Sequence, residues 1–559
     1  MNGSILLILS IVVFCLGYTL YGRWLAKEWG VDPSIKTPAH TENDGVDYVP
    51  AKPSVLMGHH FSSIAGAGPI TGPIQAAVFG WVPVALWIFI GSIFIGAVHD
   101  FGSMFASVRN KGRSITDIIS NSMGERAKTL FTVFAYLTLI LVIAAFTSIV
   151  ADTFVGFDSD GNPIKVNATS ASISIMFIVG AVLLGFVMNR LRLGSISSAV
   201  LAIVVLLTCI ALGVMFPIHL SKNFWIVFIA LYIIIASILP VWILLQPRDY
   251  LCSFLLYGIL GAALVGILLE RPDIALPGFI GFESNLGYLF PTLFITVACG
   301  AVSGFHSLVS SGTTSKQIDN ERHMLPVAYG AMLLEGVLAI IALICVASLY
   351  DGGMPEGTPT QIFAEGISTI LSGIGLSEYE SLTYSLIVLA VSAFALTSLD
   401  TSTRLGRLLL QDLFKPHDDG SEVSVVGKHL GKPVIATVMT VCTGVGLALV
   451  GYQNRWGLFG AANQLLAVLA IMAVCAWLGN VGKNNRMLIA PMLFLFACTL
   501  TSLAITMWNK VNILLEGFDG AALAQTLLAA FLFILAIILM KEGISTIRNG
   551  RKQDSDGTR

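Results

Sequence analysis

Fifteen runs of about 18 to 25 mainly apolar residues follow one another along this chain, and they leave it one kind of solvent in which to fold. They centre near residues 14, 66, 95, 140, 180, 207, 234, 261, 301, 337, 392, 442, 468, 497 and 531. A helical run of that length matches the hydrocarbon thickness of a bilayer. Lipid offers no partner to an unpaired backbone group, so each run is expected to be helical. The first, Ser4 to about Leu20, has its basic residues Arg23 and Lys27 after it rather than before it, so it reads as a span and not as a cleaved signal. The expectation is an all-α polytopic membrane protein of about 15 transmembrane helices.

Charge supports the count. Only 11% of residues are charged, against roughly 25% in soluble proteins, which excludes an ordinary soluble enzyme. Lys and Arg number 31 and Asp and Glu 33, so there is no basic surplus to hold a nucleic acid, and the lipid bilayer is the expected partner. With the N-terminus outside, alternate loops place 26 basic residues on the cytoplasmic side and leave five outside: Lys165, Lys222, Arg271, Arg455 and Lys510. A missed span in the middle would scramble that asymmetry. The expected location is the bacterial inner (plasma) membrane, with the C-terminus cytoplasmic. All eight cysteines sit in apolar runs without Cys-x-x-Cys pairing and read as small buried hydrophobes.

Several runs are interrupted. GHHFSSIAGAGPITGP, Gly58 to Pro73, packs Gly66, Gly68, Pro69, Gly72 and Pro73 into eight residues. That is enough to unwind a helix near the membrane midplane and expose a half-helix N-terminus to an anion. The alternative is close packing of small residues against a neighbouring helix. A substrate site is expected here, with His59 and His60 beside it. A second break is expected at Pro240 in IASILPVWILLQPRDYL, with Arg248 and Asp249 as a gating ion pair at its inner end. The two breaks are five spans apart, an odd number, which suits two five-helix repeats of inverted topology. On that reading residues 1–53 hold the first span and a cytoplasmic loop, and 54–250 the first repeat and the start of the second. Residues 223–412 hold the second repeat, and 433–545 four additional helices.

SGFHSLVSSGTTSKQ aligns Ser303, Ser307, Ser310, Ser311 and Thr314 at helical spacing, a polar face for a sodium ion or a water path. The alternative is that these hydroxyls bond their own i−4 carbonyls. Glu335 lies mid-span with no basic residue within reach along its helix. It is therefore the candidate proton carrier, with Asp400 a further ion-coupling candidate. No nucleotide-binding loop or cofactor motif is present, so no cofactor is expected. A rival reading, a membrane metal-dependent oxidoreductase, would use His59, His60, His99 and His306. It is disfavoured because adjacent histidines point to different sides of a helix.

The segments GHHFSSIAGAGPITGP, GAVHDF, LPVWILLQPRDYL, GFHSLVSSGTTSKQI, TSLDTSTRLGRLLLQDL and WGLFGAANQLLA resemble, in this order, those of the carbon-starvation protein A (CstA) family. The resemblance spans about residues 40 to 480. It implies uptake of pyruvate or short peptides when carbon is scarce, and a LeuT-like inverted repeat with extra helices, as in the amino acid/polyamine/organocation superfamily. A symporter of either substrate with H+ or Na+ follows. One co-transported proton would cancel the charge of a monocarboxylate, which otherwise costs about 2.3 kcal/mol per 100 mV to bring inward. The sequence leaves open pyruvate against peptide, proton against sodium, and the oligomeric state.

Overall fold

The structure is a computed structural model that describes residues 2–45, 47–158, 160–191, 194–240, 243–414, 425–449 and 456–556. Arg192, Lys415, Arg455 and Arg559, which enter the charge split, lie outside the described residues. The protein is mostly helical, with a single two-stranded antiparallel hairpin of β1 (Glu283–Ser284) and β2 (Gly287–Tyr288) among the described residues.

The chain opens with α1 (Gly3–Trp29). After a four-residue turn of helix at Pro38–Thr41 come two short helices, α2 (Pro53–Ile64) and α3 (Gly68–Ala76). Next come α4 (Trp81–Arg109), the short α5 (Ile115–Met123), α6 (Glu125–Phe154), α7 (Lys165–Leu191) and α8 (Ser195–Met215). After α9 (Lys222–Ile238) and α10 (Leu245–Glu270), a second pair of short helices appears, α11 (Leu289–Thr296) and α12 (Phe305–Gly312). The longer helices that follow are α13 (Glu321–Ser348), α14 (Pro359–Leu371), α15 (Glu380–Leu413), α16 (Pro433–Leu449), α17 (Trp456–Asn480), α18 (Arg486–Glu516) and α19 (Gly520–Asp556).

Eleven helical stretches among the described residues are long and apolar enough to cross a membrane, and α9 and α16 are apolar but shorter. Burial sorts them into layers. The most apolar stretch of α17 is wholly enclosed and that of α13 nearly so, whereas α8 turns Leu207, Val204 and Val200 outward. A helix apolar all round belongs in the centre, and one with an exposed apolar face belongs against lipid. Cys15 and Cys442 are on that outer surface, which corrects the expectation that every cysteine is buried. At the heart of the bundle α6 and α15 lie along one another.

Pro240 does not interrupt a helix. α9 stops at Ile238, and Pro240 follows as an exposed residue before α10 begins at Leu245. Proline directly after a helix ends it at no cost, because the missing N–H is not needed there. The second interruption lies instead between Thr296 and Phe305.

Candidate functional site

The first interruption follows from local chemistry. Pro69 cannot donate to the carbonyl four residues earlier and its ring crowds it, so a helix arriving from Pro53 must stop near Ile64. α3 then starts afresh at Gly68 with Pro69 in its first turn, where a missing N–H is harmless. The second interruption, residues 297–304, contains no proline. It is held open from outside by α17. The Asn463 carbonyl accepts from the Gly304 N–H and its Oδ1 from the Phe305 N–H, both at 3.0 Å, while its Nδ2 donates to Ser303 Oγ at 3.0 Å. The Trp456 indole donates to the Thr296 carbonyl at 3.0 Å and Gln464 to that of Phe294 at 2.5 Å. Four of the backbone groups freed by the interruption are thus paired by α17, and the Gly300 carbonyl accepts from Ser92 Oγ of α4 at 3.1 Å.

The two interruptions cross at contact distance. A methyl group on Gly72 would stand 2.6 Å from the Thr296 carbonyl, one on Gly66 2.6 Å from Ser398 Oγ, and one on Gly68 would collide with Cys299. At Gly72 glycine is required by the approach of a second backbone, and at Gly66 and Gly68 the obstacle is a side chain. Where they cross, Gly66, Gly68, Cys299, Ser303, Ser398 and Asn463 border a cavity of about 10 Å³. That is room for about one water molecule and no organic solute.

A larger cavity of about 150 Å³ begins next to it and opens at the end of the bundle where Arg404, Arg407 and Lys316 lie. Its inner wall includes Ser63, whose carbonyl accepts from Ser398 Oγ at 3.4 Å, and the next residue of α2, Ile64, lines the smaller cavity, so the two spaces are one residue step apart. His59 lines it, with Nδ1 3.2 Å from Asp249 Oδ2.

Two ionic clusters are buried in the bundle. In one, the Asp100 carboxylate of α4 lies between His99 Nδ1 and His306 Nδ1, each at 2.8 Å, and His306 Nε2 lies 3.4 Å from Glu335 Oε2. All four side chains are fully enclosed, and neither oxygen of Glu335 receives a hydrogen bond among the described residues. In the other, Arg248 pairs with Asp400, and Tyr232 donates to the same carboxylate oxygen at 2.8 Å.

Of the residues singled out in the sequence, Gly66, Gly68 and Pro69 are at the crossing, and His59 and His60 are on the turn of α2 leading into it. His60 Nδ1 lies 2.9 Å from Thr314 Oγ1. Pro240 lines neither cavity. Arg248 and Asp249 do not pair with each other, because successive residues on a helix diverge; Arg248 takes Asp400 and Asp249 takes His59. The hydroxyl face is not one surface either. α12 ends at Gly312, Ser307 and Ser311 donate back to the Gly304 and Ser307 carbonyls, and Ser303 turns to Asn463. Ser310 Oγ is buried with no partner among the described residues. No three His, Cys, Asp or Glu side chains among the described residues converge to hold a metal ion; His59 faces Asp249 and His60 faces Thr314, while His99 and His306 share Asp100. Sequence reasoning missed Asn463 and Ser398. The signal for Asn463 was there: Asn463 and Gln464 are adjacent amides within an otherwise apolar run.

A family model described as carbon starvation protein CstA matches residues 2–356 and 351–502. The chain is 33% identical to a peptide transporter CstA of Campylobacter jejuni, covering 89% of this chain and 79% of that one. It is 31% identical to the pyruvate/proton symporter BtsT of Escherichia coli, covering 92% and 82%. Its fold is shared with a manganese transporter of Eremococcus coleocola in mutant form, with TM-score 0.50 and 14% identity over 93% of this chain and 99% of that one. With the family model covering most of its length, the chain belongs to the carbon starvation protein CstA family.

Proposed function

We propose that this protein is a proton-coupled secondary importer of a small carboxylate, pyruvate or a short peptide, serving nutrition when carbon is scarce. One observation carries the reading: two interrupted helices cross at a small central cavity, with a chain of titratable side chains running from Glu335 to His99 beside the second interruption. Small-molecule transporters bind substrate where half-helices meet at the midplane. An acid that no fixed positive charge neutralises can take and release a proton as its surroundings change. His306 then links Glu335 to Asp100 and is the step between them. The printed names of the relatives, peptide transporter and pyruvate/proton symporter, point the same way.

The architecture proposed for this function has fifteen spans, counting each interrupted pair as one and leaving out the short α5 and α14, with the N-terminus outside and the C-terminus cytoplasmic. The 26 to 5 division of basic residues supports that orientation. The interrupted pairs are seven spans apart, an odd number, so they run in opposite directions as inverted repeats require. The first repeat then starts at Pro53 and the second at Leu289 rather than at residue 223. α6 and α15, the third helix of each, lie along one another across the pseudo-symmetry. α9 and α10 are insertions between the repeats.

The experiment is uptake of labelled pyruvate and of a labelled dipeptide into proteoliposomes with pH and sodium gradients imposed separately. Accumulation of either solute driven by the pH gradient alone is the expected result. Accumulation driven by sodium at equal pH would sink the coupling, and no accumulation of either solute under any gradient would sink the transport reading.

A further inference from the structure

The cavity of about 150 Å³ has a chemistry of its own, separate from that of the crossing. It is lined by three cations, Lys316, Arg404 and Arg407, and by two carboxylates, of which the buried Asp249 is already engaged by His59. The other, Asp47, is half exposed and reaches Arg404 Nη2 only at 4.0 Å. Arg407 donates through Nη1 to the Ser237 carbonyl at 2.7 Å, and Lys316 Nζ stands over the Tyr48 ring at 5.2 Å. Arg404 Nη1 and Arg407 Nε are out of contact with solvent and have no hydrogen-bond partner among the described residues. Guanidinium N–H groups withdrawn from water with no acceptor are unfavourable unless something else supplies one. Arg404 and Arg407 stand three residues apart on α15, so they lie on one side of it, and Thr401, three residues before Arg404, lines the same cavity.

The geometry points to a second binding site, for a small monocarboxylate anion, in this cavity, held by Arg404 and Arg407 with Lys316 at its mouth. The planar forks of two arginines match the in-plane lone pairs of a carboxylate. The cavity has about ten times the volume one water needs, enough for a small organic acid. Its position one residue from the crossing makes it a staging point that the solute meets after leaving the central cavity on one side of the membrane. The identity of the ligand rests on the carboxylate reading above, whereas the existence of an anion site does not.

Detergent-solubilised full-length protein with the two exposed cysteines silenced (Cys15→Ser, Cys442→Ser) and Thr401→Cys introduced gives a reporter inside the cavity. An anionic methanethiosulfonate, the ethylsulfonate, is expected to label it about tenfold faster than the cationic ethyltrimethylammonium reagent, as a focused positive potential requires. Acetate and pyruvate should slow the anionic labelling, and neutral acetamide should not. Arg404→Gln with Arg407→Gln should abolish both the preference and the protection, and each single variant should lower them part way, which keeps the test if the pair fails to fold. Equal or faster labelling by the cation, equal protection by acetate and acetamide, or protection unchanged in the arginine variants would each overturn the site. Because labelling needs no transport, a charge preference without pyruvate uptake counts against the transport reading alone. Pyruvate uptake without a charge preference counts against this site alone.

Discussion

The two buried ionic clusters are built on opposite plans. Around Asp400 the partners are Arg248, whose charge is fixed at any ordinary pH, and Tyr232, a hydroxyl donor. Three helices, α9, α10 and α15, are pinned by that arrangement. Around His306 the partners are two carboxylates, Asp100 and Glu335, and the chain ends on an acid that receives no hydrogen bond among the described residues. A carboxylate neutralised by arginine is a brace. A carboxylate facing an imidazole can exchange a proton without any helix moving, which is what coupling on the proposed reading needs. The contrast moves Asp400 from the coupling group to the framework and brings His306 and Asp100 into the coupling group beside Glu335.

The brace gives the largest expected effect. Arg248→Met strands the Asp400 charge in the bundle and should cost about 3–5 kcal/mol, enough to abolish a folded, monodisperse protein. Arg248→Met combined with Asp400→Leu should restore most of it, because an apolar pair of similar volume replaces a buried ion pair at little cost. Fluorescence-detected size exclusion and thermal melting in detergent read both. Recovery absent in the double variant would mean that Arg248 does more than balance Asp400.

Glu335→Gln should show the reverse pattern. Folding is kept, since the amide fills the same space and no hydrogen bond to Glu335 is lost. Concentrative uptake driven by a pH gradient is lost, while exchange of internal for external solute continues. A melting temperature that falls as far as that of Arg248→Met would erase the distinction between the two clusters, and concentrative uptake that survives would move the proton elsewhere.

The distance over which each interruption is specified decided what could be read from sequence. Gly66, Gly68 and Pro69 break their helix by themselves, so the first interruption was legible, and so was the succession of apolar runs. The second depends on Asn463, about 160 residues further along the chain, whose amide pairs the freed backbone at Phe305 and Ser303. Nothing within residues 297–304 demanded it. Pro240 misled for the converse reason, since a proline just past a helix end and a proline inside a helix look alike in a string of letters. Gly68 was read as part of a substrate site. The contact with Cys299 adds that any side chain there would collide, so Gly68→Leu would test packing before it tested transport.

Asn463 therefore offers a third, smaller test of how the interruptions differ. Asn463→Ala removes the acceptor for the Phe305 N–H and the donor to Ser303, and about 1–3 kcal/mol of stability should go with them. Gly66→Ala is opposed by Ser398 Oγ, the movable end of a side chain, and should cost less. If Asn463→Ala melts like the parent protein, α17 merely rests against the second interruption and the cause of the break lies elsewhere.

The smallest expected effect concerns the hydroxyls of α12, and it bears on sodium. Ser307 donates to the Gly304 carbonyl at 2.7 Å in the first turn of its own helix, an arrangement that satisfies the hydroxyl and adds little to the fold. Ser307→Ala should shift stability by no more than about 0.5 kcal/mol and leave ion dependence unchanged. Ser311 has more at stake, because it accepts from the Ile115 N–H at 3.0 Å at the start of α5, and its loss should cost about 1 kcal/mol. Of the α12 hydroxyls, only that of Ser310 is buried with no partner among the described residues. A sodium ion needs several oxygens converging on one point, and this face offers a single free hydroxyl with its neighbours tied to carbonyls and amides. Ser310→Ala should therefore be neutral or slightly stabilising, with uptake unchanged across a range of sodium concentrations. If it raises the sodium needed for half-maximal uptake, an ion does bind at this face, and the acidic chain ending at Glu335 is then not the coupling element.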